Sequence, residues 1–234
     1  MKKYLPILII ANFALGQVHV ATTGSDETGD GSEENPFATI QHGIDAASDG
    51  DTVLVGAGSY ISALDIQKNI VLLSNERATL LSNDYNPTLS LSPSEYFTIK
   101  GFNIYAGQGQ TQFDYGLWYE IGSVYLDYHH SDGLGNRSFI FDDVVFSGHD
   151  PEKNDAIIYI ENGGGSLGSV DMDIVDCTFA NNGNTEILKI DEATNISIFN
   201  SIIDKPLEED PFLFQHNNVL EANMANVDIS FSCF

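Results

Sequence analysis

Basic residues are scarce: 9 Lys and Arg stand against 34 Asp and Glu in 234 residues, a formal charge of −25. A field that negative repels nucleic acid, anionic membranes and other polyanions, which excludes them as partners unless a metal intervenes. Cysteine is almost missing. Two of them, Cys177 and Cys233, are too few for a disulfide-built scaffold. Long hydrophobic runs are missing too: the apolar stretch from Leu5 to Ala14 falls well short of the ~20 residues that span a bilayer, so no membrane insertion is expected. Against these absences, 42% of the residues are hydrophobic and only 18% charged. That balance calls for a packed core rather than a disordered acidic tail.

Lys2 and Lys3, the apolar run after them and the small-x-small triplet Ala14-Leu15-Gly16 together read as a secretory signal peptide over residues 1–16. The expectation is a secreted protein, extracellular or at a cell surface, with one domain over residues 17–234. Without Lys2 and Lys3 the formal charge becomes −27, and such acidity suits a salty or calcium-bearing exterior.

Self-similarity appears in the second half. "FTIKGFNI" (97–104), "FIFDDVVF" (139–146), "MDIVDCTF" (172–179), "ISIFNSII" (196–203) and "VDISFSCF" (227–234) align without gaps. Octet positions 1, 3 and 8 are apolar in all five. Position 5 holds Gly101, Asp143, Asp176, Asn200 and Phe231, four of which tolerate a left-handed turn. Alternate inward residues, a sharp bend at position 5 and a second inward position at 8 describe two short strands joined by a corner. Each octet follows another alternating piece, "TLSLS", "VYLDY", "IIYIE", "ILKID" or "VLEAN". Such units stack side by side, and the fold class expected is all-β, a right-handed parallel β-helix with Phe97, Phe139, Met172, Ile196 and Val227 in one inward column. A β-sandwich also has short strands, but its hairpins do not require an octet to recur with the same inward positions.

A solenoid needs its open end covered. In "NPFATIQHGIDAASDGDTVLVGAGSY" (35–60), Asn35 can cap a helix, Pro36 suits its first turn, and Phe37, Ile40, Ile44 and Ala47 share one face before Gly50 stops it. A short N-terminal capping α-helix is therefore expected within a cap over 17–50. Coils then run over 51–234, the first strand being "DTVLVGAGSY". At the other end, "VDISFSCF" completes an octet at Phe234 with nothing to cover it. The expectation is a fragment, or self-association through that open C-terminal end.

The stretch "HVATTGSDETGDGSEENPFATIQHGIDAASDGDTVLVGAGSY", within residues 18–60, resembles the N-terminal signature of secreted right-handed parallel β-helix proteins of the pectin-lyase-like superfamily. The shared features are the Gly-Ser-Asp loop, the Pro-Phe-x-Thr-Ile helix and the Gly-Asp-Thr strand. The resemblance implies the fold and a glycan-related setting outside the cell. It fixes no reaction, because polysaccharide lyases, glycoside hydrolases and proteins without known activity share that fold.

Octet positions 2 and 4 point outward. There Lys100, Asp142 and, two residues offset on the next coil, Asp173 are candidate catalytic residues. The offset puts the carboxylates roughly 8 Å apart, from ~3.3 Å per residue and ~4.8 Å between strands, inside the ~6.5–9.5 Å of inverting glycosidases. An outward acidic face of a solvated coil produces the same pattern. The insertion 107–139 carries Tyr115, Trp118, Tyr119, Tyr125 and Tyr128, candidate carbohydrate-binding aromatics whose rings can stack on the apolar faces of sugars. They can equally pack onto the coil. Asp26, Asp30 and Glu33 in "GSDETGDGSEEN" offer hard oxygen ligands in a glycine-rich loop, a candidate calcium site without EF-hand spacing; no cofactor is otherwise required. The bend residues Asp143, Asp176 and Asn200 read as turn formers first and as a cation ladder second. The favoured function is a non-catalytic, glycan- or surface-binding β-helix, with a polysaccharide hydrolase or lyase and a structural spacer or adhesin stalk as alternatives.

Overall fold

In the computed structural model the described residues are 16–61, 63–81, 88–91, 96–105, 111–114, 117–120, 124–127, 137–149, 156–161, 170–182, 186–190, 194–203, 214–216 and 226–230. The protein is mostly β with one helix, and its two larger sheets are parallel throughout. The first, of twelve strands, runs Gln17–Val20, Thr52–Val55, Ile70–Leu81, Tyr96–Tyr105, Arg137–Asp142, Val170–Val175, Thr194–Phe199 and Asn226–Ser230. Four short strands extend it beyond the bends: Ser59–Ile61, Val145–Ser147, Thr178–Ala180 and Ile202–Ile203. The second sheet has six strands: Leu64–Ile66, Leu89–Leu91, Val124–Asp127, Ala156–Glu161, Glu186–Ile190 and Phe214–His216. From Thr52 onward the chain visits the first sheet, then the second, then the first again one rung further along. A hairpin-connected sandwich would pair its strands antiparallel. The single antiparallel pair among the described residues is the hairpin Thr111–Asp114 with Leu117–Glu120, inside the long insertion.

The register stacks like on like. Ile70, Phe97, Phe139, Met172, Ile196 and Val227 are successive partners, and the first five are 0–1% exposed. Octet position 3 repeats this with Leu72, Ile99, Phe141, Ile174 and Ile198, all buried. Position 6 turns inward as well, with Phe102, Val144, Cys177 and Ser201 buried; the mixed chemistry of that column hid it from the apolar pattern. Phe146 stacks on Phe179 at 4.9 Å with planes 10° apart. From the second sheet Leu64, Leu89, Val124, Ile158 and Leu188 close the interior, each buried.

The bends fall at position 5, where Gly101, Asp143, Asp176 and Asn200 have φ of 78°, 54°, 53° and 48°. Short polar side chains and glycine carry such a conformation at least cost. At Gly101 only glycine fits, since a Cβ there would meet the Ser74 carbonyl oxygen at 2.1 Å. Amides continue the ladder through the corners, Asp143 N–H donating to Val175 O at 3.0 Å and Asp176 N–H to Phe199 O at 3.1 Å.

The helix is shorter than expected, Ile40–Ala46, and its N-cap is Thr39 rather than Asn35. The Thr39 hydroxyl accepts from His42 N–H at 3.3 Å, while Pro36 and Phe37 precede the helix and Phe37 forms an isolated parallel bridge with Val20. Asn35 instead donates through its side chain to Thr28 O at 2.8 Å. The shared face is as expected, with Phe37, Ile40, Ile44 and Ala47 all buried. The helix lies on Gln17–Val20, Thr52–Val55 and Leu64–Ile66, so it spans the end of both sheets. At Gly43 a Cβ would come within 2.6 Å of Val20.

The outermost strand is Gln17–Val20, not the one beginning at Thr52, because Gln17 to Val20 pair with Thr52 to Val55. Its free edge is covered by the following loop: His19 N–H donates to Gly31 O at 2.8 Å, Phe37 N–H to His19 O at 3.0 Å and Ala21 N–H to Phe37 O at 2.9 Å. Gly16 belongs to this order, its N–H bound to Asp51 Oδ1 at 2.7 Å. Residues 1–15 of the expected signal peptide and the terminal residues 231–234, Cys233 included, lie outside the described residues.

Candidate functional site

Alternation along each strand sends octet positions 2 and 4 to the outside, and the register fixes their neighbours. One outward column runs Leu54, Leu73, Lys100, Asp142, Val175, Phe199. Beside it run Val71, Thr98, Ile140, Asp173 and Ser197. Asp142 faces Val175 while Asp173 faces Ile140, which is the two-residue offset read from the octets. Lys100 Nζ meets Asp142 Oδ2 at 2.6 Å, with the two side chains 50% and 24% exposed. The hydrogen bond to Asp142 and its charge, helped by Asp143 and Asp176, raise the Lys100 pKa above its ordinary value, against a small cost of burial. Asp173 is exposed, and Phe199 is 39% exposed. The patch is thus a flat strip of half-exposed apolar side chains interrupted by an ion pair and a second carboxylate.

Sequence reasoning missed Arg77. Four residues, Ser74 to Arg77, stand opposite the single Gly101, and Arg77 itself is left-handed at φ 60°. With no side chain on Gly101, the Arg77 guanidinium passes over that rung to form an ion pair with the Asp143 carboxylate and reach the Asp143 carbonyl at 3.4 Å. On the next rungs Asn200 donates to the Asp176 carboxylate. The bend column is therefore a chain of side chains securing corners.

A second corner also went unread. Gly148 and Asn181 have φ of 79° and 58°, and the residues after them, His149 and Asn182, are 4% and 5% exposed. His149 Nδ1 lies 2.8 Å from Asn182 Oδ1, and Asn182 Nδ2 donates to Phe146 O at 3.0 Å. Burial pushes the His149 pKa down to about 4, against the hydrogen bond with Asn182. "SGH" and "ANN" directly after two octets were the available signal. Cys177 is buried and free, as its inward position requires. Burial raises its pKa to about 12, and the thiol donates to Val175 O at 3.2 Å and Phe141 O at 3.3 Å.

The candidate calcium residues do not gather. Asp26 turns both oxygens to the helix start: Oδ1 accepts from Ala38 N–H at 2.8 Å and Thr39 N–H at 3.0 Å, Oδ2 from the Thr39 hydroxyl at 2.7 Å. Slight burial opposes ionisation, but those hydrogen bonds outweigh it and hold the Asp26 carboxyl below its ordinary value. Asp30 accepts from Ser32 N–H at 3.0 Å, and Glu33 is exposed on the cap loop. Among the described residues no three His, Cys, Asp or Glu side chains form a metal-holding group.

Of the candidate aromatics, Tyr115 and Tyr128 lie outside the described residues. Trp118 and Tyr119 pair with Phe113 and Gln112 in the hairpin. Tyr125 sits in the second sheet between Ser90 and Tyr159. Tyr125 and the hairpin pair thus belong to different sheets. Comparisons with protein-family models, with curated proteins and with solved structures found no match.

Proposed function

We propose that the chain is a secreted right-handed parallel β-helix that binds a neutral glycan along the outward face of its first sheet, around Lys100, Asp142, Asp173 and Phe199. Strict alternation between two parallel sheets, one rung per circuit, supports the winding, and parallel crossovers take the right hand almost without exception. The resemblance of residues 18–60 to pectin-lyase-like proteins and the signal-like start support export and a glycan setting. The observation that carries the binding reading is the strip itself: Leu73, Val175 and Phe199 offer apolar area to sugar ring faces, while Asp142, Asp173 and Lys100 offer hydrogen bonds to hydroxyls. A formal charge of −25 disfavours polyanionic glycans. The insertion aromatics add a second contact zone.

A glycan array probed with purified protein tests this. Neutral oligosaccharides should bind, and Phe199→Ala and Asp173→Asn should each weaken binding about tenfold while the protein stays folded. An array silent for neutral and acidic glycans leaves a structural spacer instead. The offset of Asp142 and Asp173 favours hydrolysis as a second reading, and a reducing-sugar assay on the bound glycans decides it. Turnover abolished in Asp142→Asn and Asp173→Asn supports an enzyme; no turnover in the parent protein supports a binding module.

A further inference from the structure

At the capped end of the same sheet lies a cleft of about 260 Å³ that the glycan strip does not use. Two protrusions make it. On one side the cap loop brings Glu33 and Pro36, and on the other the four-residue bulge opposite Gly101 brings Asn75 and Glu76. His19 and Leu54, partners on neighbouring strands, lie between them. The bulge splits its charges: Arg77 turns away to Asp143, leaving Glu76 with the cleft and with Ala57 N–H at 3.3 Å. Arg77 is paired with Asp143 and Lys100 with Asp142, and among the described residues neither Glu33 nor Glu76 makes an ion pair with lysine or arginine.

We infer that this cleft binds a protonated amino sugar, its ammonium held between Glu33 and Glu76 and its ring lying against Leu54 and Pro36. The volume holds about one ring, below the ~300–1,000 Å³ of clefts that take drug-sized molecules. Charge selects its sign: two lining carboxylates, Glu33 and Glu76, in a chain of net charge −25, attract a cation and repel an anion. The apolar floor separates an amino sugar from a bare polyamine, since it accepts a ring face that a linear diamine lacks. Asn75 and the His19 imidazole supply hydrogen bonds to ring hydroxyls.

Glucosamine titrated into the full chain, followed by calorimetry and by the His19 ring resonances, is the direct test. Glucosamine should bind saturably, at least about tenfold tighter than N-acetylglucosamine or glucose, because acetylation removes the charge that makes its hydrogen bonds strong. Added salt should weaken it. Glu33→Gln and Glu76→Gln keep the shape and the Ala57 hydrogen bond, and each should weaken glucosamine about tenfold while leaving glycan-array binding intact; Phe199→Ala should do the reverse. Equal binding of the acetylated sugar, equal binding of putrescine, unchanged affinity in both Gln variants, or no saturable shift with glucosamine each overturns the inference.

Discussion

Along the inward face of the first sheet each rung repeats the last in kind, Ile70, Phe97, Phe139, Met172 and Ile196 in one column. Along the outward face the type changes at almost every rung, from Leu73 to Lys100, Asp142, Val175 and Phe199. Both faces belong to the same strands, so β-propensity does not separate them. Inside, each side chain is surrounded on all sides and must fill a fixed volume. Outside, water takes one side, and chemistry is free to vary.

Phenylalanine on the two faces gives the widest separation. Phe146, fully buried against Phe141 and Phe179, should cost about 4 kcal/mol when cut to Ala, because removal leaves a cavity between stacked rungs. Phe199→Ala should cost far less, about 1 kcal/mol, because the ring is 39% exposed and can be lost without leaving a closed cavity. Urea midpoints of the two variants check this, and comparable losses would mean that something covers the outward face.

The inward side also holds a group that ought to be outside. The folded pKa of His149, about 4, lies below the ~6.5 of an unfolded histidine, so protons favour the unfolded chain. The stability from the neutral, buried ring is complete above pH ~6.5 and declines as the pH falls from there toward 4, by on the order of 3 kcal/mol. Unfolding free energies through that window, compared with His149→Gln, should show a slope in the parent that the variant loses.

These contrasts explain what the sequence could say. Inward columns were legible because burial forces one residue class to recur at a fixed octet position, and four of the corners because glycine, Asp and Asn tolerate φ near +50 to +80°. The strand Ile70–Leu81 escaped the octet because its bulge breaks the spacing, which hid Arg77. The covering of the outermost strand was illegible for another reason. It is made by backbone groups of His19, Gly31 and Phe37, which leave no side-chain pattern. Asn35 and Thr39 are both good capping residues, and Asp26, thirteen positions before Thr39, decides between them by binding the amides of Ala38 and Thr39. Outward patches depend on which side chains reach across rungs, and that is a property of the stack rather than of any one strand.

At the cap, Asp26 measures how firmly a loop can hold the end of the stack. Asp26→Ala should lower stability by about 1 kcal/mol, as loss of an N-cap acceptor does, and should speed amide exchange at Ala38 and Thr39. Its folded pKa is lowered, so its contribution is present above the unfolded carboxylate value and fades as the pH falls through the lower, folded one. That places it below the His149 window, and a pH series on each variant separates the two.

The smallest effect is the one that bears most on function. Lys100 and Asp142 are close at 2.6 Å, yet half of the lysine side chain and a quarter of the aspartate are in water, so solvent screens their attraction. A double-mutant cycle with Lys100→Met and Asp142→Asn should give a stability coupling below about 1 kcal/mol, reduced by added salt. The raised Lys100 pKa gives this small term a sign: it is fully present below the ordinary lysine range and lost as the pH climbs through the folded value. A large, salt-insensitive coupling would make the pair a structural clamp and remove it from the proposed binding strip. A small one leaves both groups free to exchange each other for sugar hydroxyls at little cost, which is what a polar centre between Leu73 and Phe199 must do if the outward face is a binding surface.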